Sequence, residues 1–181
     1  KAVNPSAKII CPSVTSFRET AGSSGEVYLD ALLTQQDTAA TGTMLNWIDI
    51  VGVHLYYAHM TTTIVGCISR IKTLLQARGY GALELWDTES GILSPYPDVI
   101  ADEFHLRIMQ RRLIATAACG LKKQFWYSYD HTNMGFMSKP AVQAGYAQIV
   151  NFLAGKSITS AIQRFDGVVT VIRADGEKMT V

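Results

Sequence analysis

Several features that define large classes of proteins are scarce in this sequence. Its 181 residues include only three cysteines. Cys11, Cys67 and Cys119 are far apart in apolar segments, so we interpret them as small buried hydrophobes, not as metal ligands or disulfide partners. The net charge of +1 gives no electrostatic reason to expect a nucleic acid or an anionic membrane as partner. No apolar run reaches the roughly 18 residues that a membrane span needs. What remains is a globular protein, 48% hydrophobic, long enough to bury a sizeable core.

A glycine-rich phosphate loop is also missing after the first predicted strand, where the chain reads Cys11-Pro12-Ser13-Val14. Its absence argues against a doubly wound dinucleotide-binding sheet, which is the competing α/β architecture. Strand-like and helix-like patterns nevertheless alternate four times, which predicts an α/β fold with a parallel sheet. The predicted strands cover 7–14, 48–57, 82–92 and 123–129, and the predicted helices cover 26–36, 61–78, 99–119 and 140–153. A (β/α)8 TIM barrel uses about 31 residues per unit, so four such units amount to half a barrel.

The end of the chain has a different pattern. Residues 168–173 and 178–181 are strand-like, and Asp175-Gly176 between them is a hairpin signal. An isolated hairpin is marginally stable in water, so we expect this one to belong to a small β-sheet beside the barrel. We therefore divide the chain into a half-barrel domain, 1–157, and a C-terminal β segment, 158–181, that could begin an accessory β domain.

Polar and aromatic side chains follow three of the predicted strands, where a parallel barrel carries its working residues. They are His54 and Tyr56 on the second strand, Glu89 on the third, and Trp126, Tyr129, Asp130 and His131 on or after the fourth. A carboxylate can attack an anomeric carbon, a tyrosine hydroxyl can orient that carboxylate, and an aromatic face can pack on a sugar ring. Each residue also has a structural interpretation, with Trp126 in the core and His54 as a structural histidine. Glu84 lies an odd number of residues before Glu89, so we expect it to face the helix layer.

Residues 4–155 resemble the second half of a retaining (β/α)8 glycoside hydrolase of clan A, the cellulase-like superfamily. Within that superfamily the chain looks most like bacterial proteins similar to glycoside hydrolase family 39. The resemblance rests on three motifs in the family's order: a His-x-Tyr pair at His54-Leu55-Tyr56, a Thr-Glu-x-Gly-like motif at Thr88-Glu89-Ser90-Gly91, and Trp126. It implies that the four predicted strands correspond to strands five to eight of the barrel.

The resemblance also implies roles for these residues. Glu89 would be the nucleophile of a double-displacement hydrolysis of β-linked oligo- or polysaccharides, Tyr56 would orient it, and His54 would support the sugar or the acid/base. Trp126 would stack on the sugar, and Tyr129, Asp130 and His131 would contact neighbouring parts of the glycan. No metal or cofactor is implied, and a secreted or periplasmic location is.

The acid/base glutamate of the family comes from an earlier strand that this sequence does not contain. We therefore expect an N-terminal half barrel in the same or a companion chain, or a homodimer partner, and little or no hydrolysis by this chain alone. The alternative is a non-catalytic glycan-binding or scaffold protein built on a barrel remnant.

Overall fold

The structure is a computed structural model, and it describes residues 4, 6–15, 17–18, 21–35, 47–56, 61–92, 101–130, 135–163 and 169–181. Within these ranges the helices are α1 (Ser24–Thr34), α2 (Thr61–Ala77), α3 (Asp102–Ala118) and α4 (Pro140–Leu153). The strands are β1 (Ile50–Val53), β2 (Glu84–Ser90), β3 (Lys123–Trp126), β4 (Ile158–Gln163), β5 (Val169–Arg173) and β6 (Lys178–Thr180).

Strands β1, β2 and β3 form a parallel sheet in that order, with α2 and α3 as the connections between neighbours. The first predicted strand, 7–14, lies beside β1 and meets it through two isolated parallel bridges, Ile10 to Ile50 and Val14 to Val53. Pro12 lies between the bridges and has no N–H to donate, which limits the ladder there. The α/β class and the parallel sheet are therefore confirmed, while closure into half of a TIM barrel stays a prediction.

The first apolar core lies between this sheet and helices α1 and α2. Along α2 the buried side chains recur every three or four residues, at Ile64, Ile68, Ile71 and Leu75. They pack against β1, in which all four residues are buried. Gly79 follows α2 with a φ of +83°, a left-handed conformation that glycine adopts at little cost after a helix.

The second core joins α3 and α4 to the antiparallel sheet β4–β5–β6. Val169 and Val171 of β5 are buried against Ile149 and Phe152 of α4. The predicted hairpin is present as β5 and β6, and β4 completes the small sheet by pairing with β5. The small sheet therefore shares its core with two helices that follow strands of the parallel sheet.

The cysteines lie in apolar surroundings. Cys11 and Cys67 are buried and Cys119 is half-buried, which fits their interpretation as small hydrophobes. In the part of the chain that the structure describes, no helix is both long and apolar enough to cross a membrane.

His105 on α3 gives the second core a pH-dependent stability. Its side chain is 2% exposed between the rings of Trp126 and Phe136. Burial, with a smaller contribution from Lys139, lowers the pKa of His105 to about 4. The imidazole is therefore neutral in the folded protein at pH 7. As the pH falls from about 6.5 towards 4, the unfolded chain takes up the proton first, and the folded state loses stability.

We therefore predict that His105→Phe flattens the acid side of the stability profile. In the native protein the linkage lowers the free energy of unfolding by up to about 3 kcal/mol between pH 7 and pH 4. Urea titrations at intervals of pH measure this difference. Because other acids titrate in both proteins, only the difference between the two profiles counts, and parallel profiles would contradict the assignment.

Candidate active site

Tyr56 and Glu89 meet at the carboxyl ends of two neighbouring strands. Glu89 is the sixth of the seven residues of β2, and Tyr56 lies three residues past the end of β1. The Tyr56 hydroxyl donates a hydrogen bond to Oε1 of Glu89, and both side chains are half-buried. Parallel strands place their carboxyl ends at one edge of the sheet, which is why residues 33 positions apart in sequence come into contact.

The environment of this hydrogen bond favours the tyrosine as its donor. Burial raises the pKa of Tyr56 above its ordinary value, and the bond to the Glu89 carboxylate raises it further. The tyrosine therefore stays neutral and donates its hydroxyl proton to the bond. A hydrogen bond to a charged acceptor is among the stronger ones in proteins, typically about 1.5–3 kcal/mol.

His54 lies beside the pair. Its ring is 6.2 Å from the Tyr56 ring, centroid to centroid, in an edge-on arrangement with an interplanar angle of 83°. Its backbone N–H donates to the Val14 carbonyl at 2.7 Å, which ties the end of β1 to segment 7–14. The structure thus brings together three of the predicted site residues, His54, Tyr56 and Glu89.

Trp126 does not join this group. Its side chain packs in the second core, with its ring 6.1 Å from that of His105 and its indole nitrogen buried. The aromatic residue beside Tyr56 is instead Tyr127, with ring centroids 6.5 Å apart and the Tyr127 side chain 37% exposed. Successive side chains of an extended chain point to opposite faces. A shift of one residue therefore moves a side chain from the core to the face that carries the site. The aromatic enrichment of 125–127 was visible in the sequence, but not which ring faces the site.

The loop after β3 contains the remaining predicted residues. Tyr129 packs edge-on against Phe136, with ring centroids 5.3 Å apart, and its carbonyl accepts two backbone hydrogen bonds from the 136–137 segment. Asp130 is exposed. His131 lies outside the described residues. The contacts of Tyr129 and Asp130 with a glycan therefore stay a prediction.

An irregularity in β2 explains how Glu89 reaches Tyr56. The β2–β3 register shifts between Asp87 and Ser90, which interrupts the alternation of side chains at the end of the strand. Thr88 meanwhile donates to the Val53 carbonyl at 3.2 Å and shares a 2.7 Å hydrogen bond with Ser13. These bonds fix the strand end that carries Glu89.

The structure corrects the predicted orientation of Glu84. Instead of facing the helix layer, its half-exposed carboxylate accepts hydrogen bonds from Lys8 at 2.7 Å and from the Trp86 indole at 2.9 Å. Both bonds lie on the sheet face opposite the helices, since Leu85 between them is the residue buried in the first core. The register shift near Glu89 makes the parity argument fail, because it requires an unbroken strand.

Two buried charges that the sequence did not single out lie beneath the site. Asp87 and Arg112 are both 0% exposed. Burial raises the pKa of Asp87 to about 6, against the opposing effects of a Ser90 hydrogen bond and of Arg112. Burial lowers the pKa of Arg112 to about 10, so it remains a cation at neutral pH. A charged residue in a helix is usually solvent-exposed, and nothing in the local pattern distinguishes Arg112 from Arg111.

The site offers general acid–base and nucleophilic groups but no evident metal centre. Among the described residues, no group of three or more histidine, cysteine, aspartate or glutamate side chains is arranged to hold a metal ion.

Comparison with solved structures finds a similar fold in known proteins. A glucosidase from Croceicoccus marinus superposes with a TM-score of 0.61 at 12% sequence identity, over 95% of this chain and 40% of its own length. A GH128 subgroup I endo-β-1,3-glucanase from Amycolatopsis mediterranei matches with a TM-score of 0.46 at 14% identity, over 76% of this chain and 58% of its own. The first likeness shows that this chain shares its α/β fold with part of that glucosidase, of which it spans about two fifths. No family model and no curated protein sequence matches the chain.

Close packing around Gly91 leads to a prediction about the site's geometry. A Cβ atom on Gly91 would lie 1.8 Å from the Tyr127 carbonyl oxygen and 3.7 Å from the Tyr56 ring. Gly91→Ala must therefore displace the end of β3, and we expect it to lower the free energy of unfolding by about 1–3 kcal/mol. The Tyr56 and Tyr127 ring resonances should shift in the NMR spectrum.

Gly79→Ala is the matched control for this experiment. Gly79 has a positive φ and no atom within 4 Å of an added Cβ, so its substitution costs only backbone strain, about 1 kcal/mol. It should leave both tyrosine rings unshifted. Unchanged ring resonances in Gly91→Ala would contradict the close approach of β3 to the site.

Proposed function

We propose that this chain carries the nucleophile side of a retaining glycoside hydrolase that cleaves β-linked oligo- or polysaccharides. The observation that carries the proposal is the hydrogen bond from Tyr56 to Glu89 at the carboxyl ends of adjacent parallel strands. A glycosidase nucleophile must be ionised and aimed at the anomeric carbon. A hydroxyl donor on the carboxylate favours its ionised form over the protonated one and fixes its direction, and the Tyr56 hydroxyl is such a donor.

In the proposed reaction Glu89 attacks the anomeric carbon while the bond to the leaving oxygen breaks and an acid group protonates that oxygen. The resulting glycosyl ester on Glu89 is then hydrolysed by a water molecule, which the same acid group, now a base, deprotonates. Tyr56 holds the attacking carboxylate throughout, and His54 supports the sugar from the adjacent strand end. The partly exposed ring of Tyr127 lies 6.5 Å from that of Tyr56, so we assign it the sugar-stacking role that the sequence resemblance gave to Trp126.

The acid group comes from outside this set of residues in our proposal. A retaining mechanism requires a second carboxyl about 5–5.5 Å from the nucleophile. The other described glutamates are engaged in ion pairs elsewhere: Glu26 with Arg70, Glu84 with Lys8, Glu103 with Arg107 and Glu177 with Arg173. We therefore place the acid/base in an N-terminal half barrel, supplied by the same or a companion chain or by a second copy.

The open face of the parallel sheet supports such a partner half. Ile10 is 39% exposed and Phe125 is 50% exposed there, and the Trp86 ring lies 6.3 Å from the Phe125 ring and 4.4 Å from the Lys123 ammonium. In a closed barrel this face would be interior and packed with side chains. The glucosidase of similar fold is more than twice as long as this chain.

Substitution of the pair tests the proposal, in the complete protein with its partner half. We expect Glu89→Gln to lower kcat on aryl β-glucosides at least ~10³-fold. Tyr56→Phe removes one hydrogen bond to a charged group and should lower kcat by about 10–100-fold.

Two matched controls accompany this measurement. Tyr28→Phe and Glu103→Gln change the same residue types at exposed positions of α1 and α3 and should leave kcat unchanged. Full activity in Glu89→Gln would contradict the nucleophile assignment. Glycan binding that depends on Tyr127, without hydrolysis of any β-glycoside, would favour the alternative of a non-catalytic glycan-binding protein.

A further inference from the structure

Arg112 connects the two strand ends that carry the candidate pair. It lies on α3, and its guanidinium group is completely buried. One terminal nitrogen donates to the Leu55 carbonyl, and the other donates to the carbonyls of Tyr56 at 3.4 Å and Gly91 at 3.2 Å. Leu55 and Tyr56 lie two and three residues past the end of β1, and Gly91 directly follows β2 and lies two residues after Glu89.

These carbonyls need the partner that Arg112 provides. Backbone groups past the end of a strand no longer have a ladder, and a buried carbonyl without a donor costs about 1–3 kcal/mol. The planar guanidinium group has five donors in a fixed fork and can bind carbonyls of two segments at once. An ammonium group is a compact point charge on a flexible stem and does not reproduce that geometry.

We infer that Arg112 is a positioning residue for the Tyr56–Glu89 pair: by binding the backbone on both sides, it holds the two strand ends at the separation that the hydrogen bond requires. This inference rests on the proposed function for its relevance to catalysis. The structural part, that Arg112 sets the Tyr56–Glu89 contact, stands or falls separately.

The charge of Arg112 also affects the neighbouring Asp87. Asp87 is the acid that faces it, and the ionisable Tyr56 and Cys67 are also close enough to influence it. A buried cation near a carboxylate favours the ionised form of that carboxylate. Replacing it with a neutral side chain would leave Asp87 buried without its neighbouring charge, which is costly in itself. The charge-preserving variant is therefore needed to separate geometry from electrostatics.

The experiment measures the Tyr56 hydroxyl proton by NMR in the full chain. A hydroxyl donating to a carboxylate should give a downfield, slowly exchanging resonance, assigned by its loss in Tyr56→Phe. We expect Arg112→Gln to remove this resonance. Arg112→Lys, which keeps the charge but not the fork, should speed its exchange with water at least ~10-fold.

Arg107→Gln is the matched control, because Arg107 lies on the same helix but is exposed and pairs with Glu103. It should leave the hydroxyl resonance unchanged. If folded Arg112→Lys and Arg112→Gln both keep the native resonance and exchange rate, the positioning role is overturned.

A second measurement needs no variant and therefore holds if the substitutions unfold the chain. In the native protein, three carbonyl partners should stop the Arg112 guanidinium from rotating, so its terminal N–H protons should appear as separate, slowly exchanging resonances. Averaged resonances would overturn the inference. Covalent labelling of Glu89 by a glycoside tests the proposed function independently, so the failure of one does not imply the failure of the other.

Discussion

The hydrogen bond between Tyr56 and Glu89 depends on a constraint that belongs to the whole sheet: parallel strands must end at the same edge and at the correct separation. Tyr56 and Glu89 are not paired with each other through the backbone hydrogen bonds of the sheet. Tyr56 follows β1, and Glu89 lies where the register of β2 is irregular. The Tyr56–Glu89 hydrogen bond therefore depends on the interactions that hold the two strand ends in place. Three such interactions surround it.

On one side, the Thr88 hydroxyl joins the end of β2 to β1 and to segment 7–14. On another, the absence of a side chain at Gly91 lets the Tyr127 carbonyl, and with it the end of β3, approach the site. On a third side, the Arg112 guanidinium donates hydrogen bonds to the carbonyls of Leu55 and Gly91, which lie past the ends of the strands. Each support involves backbone groups at the site, which explains how a hydrogen bond between two side chains can be held rigidly at the rim of a sheet.

The parts of this arrangement that follow local rules could be predicted from sequence. Strand–helix alternation predicts the parallel sheet, and a parallel sheet brings residues after successive strands together, which predicts the proximity of Tyr56 and Glu89. Where alternation is interrupted, the pattern does not determine which side chain faces the site: the ring beside Tyr56 is that of Tyr127, Trp126 packs in the second core, and Glu84 faces away from the helices. Arg112 could not be predicted, because its burial depends on carbonyls that come from segments 56 and 21 residues away along the chain. The residues around Arg112 in the helix do not distinguish it from a solvent-exposed arginine.

The central claim is that Glu89 is the group that attacks a sugar, and trapping the covalent intermediate tests it most directly. A 2-deoxy-2-fluoro β-glucoside with a good leaving group should slow release of the glycosyl ester enough for mass spectrometry of a peptide digest. We expect a single glycosyl adduct on Glu89 in the complete protein. An adduct on another carboxylate, or none with any of several fluorinated sugars while hydrolysis proceeds, would contradict it.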